Sequence, residues 1–295
     1  MEIAMLNAMA SDHFETSLDL QRQWGIRVLD LKDGIFGKSI LELKDGEVEK
    51  AASAIEERGL SVHCLTTDIF KTAFELGGRE FLRVHRQSVQ RVLELASRLR
   101  PAAIRVLTPR LENRAEIEDA PFYLYKEARW LFEIIRETAD RLADVGVSLC
   151  IENEPDNSVF SRPDEVVQFF ALLGRPGLVS FTYDVQNLWQ MGTFPSLDVY
   201  REMKSVIGYL HVKGGIADSA TGRLKWRSTL ERASWPVDEI IREAVRDKTV
   251  PVICLNPSHG IAADRTDSDD PVRADLAYVR QLIADSSPIE RREGS

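Results

Sequence analysis

The feature that most limits what this chain can become is a rhythm: eight short apolar runs, each followed by a stretch able to form a helix. The runs are EIAMLNAM from position 2, IRVLDLK from 26, LSVHCLTT from 60, AAIRVLT from 102, VSLCIEN from 147, LVSFTYDV from 178, VIGYLHVK from 206 and VPVICLN from 250. Between them lie segments such as REFLRVHRQSVQRVLELASRLR and KEARWLFEIIRETADRLADVG, whose apolar residues recur at intervals of three and four, the period of a helix with one buried face. Eight strand–helix units in 295 residues predict a (β/α)8 TIM barrel. A doubly wound sheet fits less well, because its glycine-rich first turn is missing here.

The connections point the same way. Chain entering the strands is short (WG, ERG, LRP, DVG, GRPG), whereas chain leaving them is long, as in TPRLENRAEIEDAPFYLY, KGGIADSATGRLKWRSTLERASWP and NPSHGIAADRTDSDDP. Long loops after the strands place the working face at the C-terminal strand ends. With no linker or repeat before the polar tail, residues 1–287 are expected to form one barrel domain and 288–295 a C-terminal tail. The first residues lack a basic leader and no apolar run approaches the roughly 20 residues that span a bilayer, so no membrane partner and a cytoplasmic location are expected. Three cysteines, Cys64, Cys150 and Cys254, sit singly inside strand-like runs and are expected to be reduced core thiols. A net charge of -9 argues against a nucleic-acid partner.

Strand side chains alternate between the barrel interior and the helix layer. In the fifth run Val147, Leu149 and Ile151 suit the outer layer, which leaves Ser148, Cys150 and Glu152 inward. The sixth gives Ser180, Thr182 and Asp184 inward, the seventh Ile207, Tyr209 and His211, and the eighth Val252, Cys254 and Asn256. Four consecutive strands therefore end at one level in Glu152, Asp184, His211 and Asn256. Two carboxylates beside an imidazole and an amide oxygen make a divalent-metal site, since like-charged buried carboxylates need a cation between them.

The neighbours of these four residues carry further options. His259 is a candidate base or extra ligand, or a solvated loop histidine. Lys213 shares the parity of His211, where it would neutralise an enolate, bind an anionic substrate or form a structural ion pair. Arg105 faces inward, to hold a substrate carboxylate or, as favoured here, to pair with Glu152. Asn187 is placed for a substrate hydroxyl. Asp30 and His63 on earlier strands are expected to support the mouth. Phe70, Phe74, Trp189, Trp226 and Trp235 would either wall a sugar site or pack the loops onto the barrel.

The segments IENEP, TYDVQN, LHVKGG and CLNPSHG, in that order on the last four strands, resemble the sugar phosphate isomerase/epimerase group of the xylose-isomerase-like TIM barrels. The resemblance implies one divalent ion (Mn, Mg, Co or Zn) held by glutamate, aspartate, histidine and a second glutamate, and a small carbohydrate or cyclitol as substrate. Carried over, the first three ligands are Glu152, Asp184 and His211, with Asn256 at the fourth place. In the ketose epimerases of this group the two glutamates are also the acid–base pair on opposite faces of an enediolate. Asn256 has no useful proton affinity near neutral pH, so reversible 3-epimerisation is not expected. Glu152 then becomes the first candidate base, with His259 and Lys213 as further catalytic candidates. Three alternatives stay open: a keto-sugar lyase or dehydratase using one base, a sugar-binding barrel without catalysis, and, least favoured by five histidines and the acidic charge, an endonuclease IV-like repair enzyme. A homo-oligomer is left open.

Overall fold

The structure, a computed structural model, describes residues 1–155, 157–261 and 271–286. Its strands are β1 Glu2–Leu6, β2 Val28–Leu31, β3 Ser61–Thr66, β4 Ala103–Leu107, β5 Ser148–Glu152, β6 Val179–Asp184, β7 Ile207–Val212, β8 Ile216–Ala217, β9 Leu224–Trp226 and β10 Val252–Leu255. Its α-helices are α1 Phe14–Gln23, α2 Asp45–Glu57, α3 Gly77–Leu99, α4 Ala120–Glu127, α5 Arg129–Ala143, α6 Pro163–Leu173, α7 Val185–Gln190, α8 Leu197–Met203, α9 Val237–Asp247 and α10 Pro271–Ser286. Every one of the eight apolar runs contains a barrel strand. The strands close in the order β1, β10, β7, β6, β5, β4, β3, β2, parallel throughout. No helix among the described residues is long and apolar enough to cross a membrane. The expected tail 288–295 lies outside the described residues.

Parity sorts the side chains into two buried sets. Val147, Leu149, Ile151, Phe181 and Tyr183 join the large cluster between barrel and helices. Ala4, Val28, Cys64, Ala103, Cys150, Tyr209, Val252 and Cys254 form a small inner cluster on the barrel axis. All three cysteines are free and buried there.

One inward expectation is corrected. Ile207 belongs to the outer cluster, not the interior, because the β6–β7 register shifts: Phe181 pairs with Ile207 but Thr182 with Tyr209. Gly208 is the residue taken up by the shift. A Cβ there would run into the Ser180 side chain, so glycine is what lets β7 lie against Ser180. The shift is confined to the start of β7, and Tyr209 and His211 keep their inward direction.

The segment 126–146, read as one helix, is two. Ala128, at φ -136° and ψ 49°, separates α4 from α5. α3 ends where Arg100 adopts the left-handed conformation (φ 48°, ψ 53°) just before Pro101, a residue that disfavours helix in its predecessor. The β8–β9 hairpin, which the sequence did not signal, lies in the long loop after β7 and pairs antiparallel.

Candidate metal centre

Glu152 ends β5, Asp184 ends β6, and His211 lies on β7 paired with Asp184. All three are at most 2% exposed. One ligand atom from each falls within 4.8 Å of the others. The His211 Nδ1 is 3.4 Å from Glu152 Oε1 and 4.0 Å from Asp184 Oδ2.

Each carboxylate also faces a fixed cation. Arg105 Nε is 2.8 Å from Glu152 Oε2, and Lys213 Nζ is 2.5 Å from Asp184 Oδ2. Yet Glu152 Oε2, Asp184 Oδ2 and Arg105 Nε are buried without a hydrogen-bond partner. These contacts balance charge without the alignment that would consume the oxygen lone pairs. Asp184 uses its other oxygen, Oδ1, to accept the Gln186 and Asn187 amides at 2.9 and 3.2 Å, capping α7. Its Oδ2 is therefore the ligand-competent atom. Two hard carboxylate oxygens and one imidazole nitrogen suit Mg, Mn, Co or Zn. The three residues fit a divalent ion, for which Lys213 would have to share Asp184 Oδ2.

The electrostatics follow from these neighbours. Burial alone would raise the Glu152 pKa, but Arg105, then His211 and Lys213, outweigh it and hold the carboxyl well below the usual range. Burial alone would lower that of His211, whereas Glu152 and Asp30 push it up to about 9.

Asn256 is brought to the centre, but not in the manner expected. Its Nδ2 lies 2.9 Å from His211 Nδ1 and its Oδ1 accepts from Cys254 Sγ at 3.4 Å, so the amide group addresses the histidine and not a shared ion position. His259 also arrives at the rim, exposed, with Nε2 2.9 Å from Lys213 Nζ. An ammonium can only donate, so the histidine ring accepts. The residue is exposed overall, but desolvation of its ring by the neighbouring loops, then Lys213, lowers the His259 pKa. Asn187 donates to Glu152 Oε1 at 3.2 Å and to the Asn153 carbonyl at 2.7 Å. Of the two readings of Arg105, the pairing is the one whose contacts are present: Nη1 donates to the Thr67 carbonyl at 2.7 Å while Nε meets Glu152.

Four of the five loop aromatics are core, not wall. Phe70, Phe74, Trp189 and Trp235 are buried. The indoles donate to the Gly222 and Lys213 carbonyls at 2.8 and 3.0 Å, tying the loop after β7 together. Trp226 is half-buried.

The sequence reading missed Gln186. It is fully buried, donates to the Gly214 carbonyl and to Ser258 Oγ, and accepts the His259 amide at 2.7 Å. It thereby joins the loops that carry Lys213 and His259. Gly214 lies so close to the Ser228 backbone that a Cβ would overlap it. A polar residue two past Asp184, on the first turn of α7, was the available signal.

No curated protein sequence matches the chain. Solved structures do. A magnesium complex of a xylose isomerase-like TIM barrel protein from Mycobacterium smegmatis is 17% identical, with TM-score 0.68 over 97% of this chain and 98% of its own. The 3-keto-D-glucoside 4-epimerase from E. coli is 15% identical, with TM-score 0.69 over 95% and 99%. A probable 3-DHS dehydratase from Bacillus anthracis is 13% identical, with TM-score 0.69 over 95% and 99%. At these identities the likeness is one of fold. The sequence model of one family matches residues 19–239, most of the barrel, and the chain belongs to that family, the xylose isomerase-like TIM barrels.

Proposed function

We propose that the chain is a single-domain, metal-dependent isomerase- or epimerase-like enzyme that acts on a small sugar or cyclitol through an enediolate. The observation that carries this reading is the convergence of Glu152, Asp184 and His211 within 4.8 Å at the C-terminal strand ends. An epimerase and a dehydratase on the same fold, with a magnesium complex among the similar structures, support it. A divalent ion held by those three residues would supply Lewis acidity toward adjacent carbonyl and hydroxyl oxygens, acidifying the C–H between them.

Glu152 is the proton acceptor in this proposal. Asn187 aims its Oε1 from 3.2 Å, and Arg105 keeps the group ionised. So strongly held a carboxylate is a weak base, and it removes only an acidified proton. Lys213, between Asp184 and His259, donates to the developing oxyanion from the β7 side. Because Lys213 and Arg105 already face carboxylates, the substrate is a neutral sugar or cyclitol, or a singly anionic sugar acid, in preference to a sugar phosphate.

One-base elimination is the second reading, and Asn256 favours it. An amide where a second glutamate would return the proton leaves one face of an enediolate without an acid. Solvent-deuterium exchange into candidate sugars, followed by NMR, tests both. Exchange or elimination by the parent that disappears in Glu152→Gln is expected. Efficient epimerisation that survives Glu152→Gln would transfer the role to His259. An ion-loaded protein that binds sugars yet exchanges no proton would be a binding barrel, and the enzymatic reading would fall.

A further inference from the structure

Directly beneath the centre, on the barrel axis, lies a carboxylate that the proposed chemistry does not use. Asp30, on β2, is 0% exposed. A buried carboxylate is costly unless its lone pairs are met, and the Asp30 side chain is met by Tyr209 and His211 of β7, Cys254 of β10 and Thr66 of β3. Its Oδ2 accepts from the Tyr209 hydroxyl at 2.9 Å, and the Cys254 sulfur lies 3.7 Å away. It lies 3.7 Å from His211 Nε2, on the far side of the ring from Glu152 and Asp184. Asp30 Oδ1 and His211 Nε2 are both buried without a hydrogen-bond partner. No lysine or arginine forms an ion pair with Asp30 among the described residues. Tyr209 also packs edge-on against His211, with ring centroids 4.6 Å apart, so one side chain fixes both partners.

We propose that Asp30 is a positioning residue for His211: its carboxylate, 3.7 Å from Nε2, favours the proton on that nitrogen and holds the ring with Nδ1 turned toward Glu152 and Asp184. This rests on the metal-centre reading above. An imidazole has two nitrogens, and the hydrogen bond made by one decides which lone pair the other presents. Asn256 acts on the same ring from the opposite side, with its amide nitrogen 2.9 Å from Nδ1. Without Asp30 the ring is free to rotate or to place its proton on Nδ1, and the ligand atom is lost.

The test uses full-length protein and Mn2+, with free ion measured by EPR. Asp30→Asn, nearly isosteric, should weaken Mn2+ binding about 10- to 100-fold while leaving the ion-free melting temperature within a few degrees. A merely structural role would do the reverse. Tyr209→Phe, which leaves Asp30 charged, should weaken binding severalfold and guards against misfolding of the first variant. In 15N-histidine-labelled, ion-free protein, the parent should show a slowly exchanging His211 Nε2–H that is lost in Asp30→Asn. Mn2+ affinity of Asp30→Asn within twofold of the parent, or an unchanged Nε2–H signal, would overturn the assignment. So would two Zn2+ per chain falling to one in Cys254→Ser, because Asp30, His211 and Cys254 also lie within 4.8 Å of one another and would then be ligands of a second ion. Failure of the parent itself to bind Mn2+ would instead sink the metal-centre reading, and the NMR comparison would still decide the role of Asp30.

Discussion

Two buried histidines, in two regions of the barrel, show how the same side chain is put to opposite uses. His211 stands in the mouth at 0% exposure, with Glu152, Asp184 and Asp30 around it. His85 stands on α3 at 6% exposure, behind the loop that follows β3, packed by Phe70 and Phe81 at centroid distances of 5.4 and 4.6 Å. The carboxylates push the first pKa up to about 9, and desolvation pushes the second down to about 4. Burial is common to both, so the neighbours decide the sign. The mouth gathers carboxylates that Arg105 and Lys213 face. The α3 site is an aromatic brace in which a neutral ring accepts the Phe70 amide at Nδ1, 3.2 Å away, and meets Thr72 Oγ1 at 2.8 Å.

If that division holds, substitutions in the mouth should change ion binding more than stability, and substitutions in the brace the reverse. The largest effect is expected for Asp184→Ala, which should abolish divalent-ion binding by calorimetry or elemental analysis; loss of the α7 cap costs a further ~1 kcal/mol. A variant that still binds as the parent does would remove Asp184 from the centre. Next, Asn256→Glu adds a negative charge beside His211 and should tighten Mn2+ binding about 10- to 100-fold, with at most a trace of 3-epimerase activity, because an error of about 1 Å in a catalytic group costs roughly a hundredfold in rate. Unchanged affinity would mean that position 256 does not reach the ion.

The brace should answer to pH. The neutral form of His85 is the native one, with a folded pKa of about 4 against about 6.5 unfolded. Its contribution is complete above pH 6.5 and is lost as the pH falls toward 4, on the order of 1–3 kcal/mol. Urea unfolding of the parent and of His85→Gln across that range should show the variant less stable at pH 7 but less sensitive to acid. Parallel pH profiles would detach His85 from the acid response. The smallest effect is on ion affinity in His85→Gln, expected to stay within twofold of the parent; a larger change would blur the distinction between the two regions.

Much of this molecule was legible in its sequence. The eight strands, their inward faces over β5, β6 and β10, and the arrival of Glu152, Asp184 and His211 at one level all follow from a two-residue period read along short runs, since alternation is a local property of extended backbone. The identity of position 256 was equally plain. What the sequence could not supply depends on pieces of chain meeting across the closed barrel. The register shift beside Gly208, which turns Ile207 outward, is set by Ser180 on the neighbouring strand. The seam made by Gln186 joins two loops, after β7 and after β10, whose lengths gave no hint of contact. Asp30 meets His211 only because closure through β1 and β10 brings β2 and β7 to the same interior. Periodicity determined which side chains point inward. Closure alone decided which of them touch, because contact on the axis depends on strand order and stagger summed around the whole barrel.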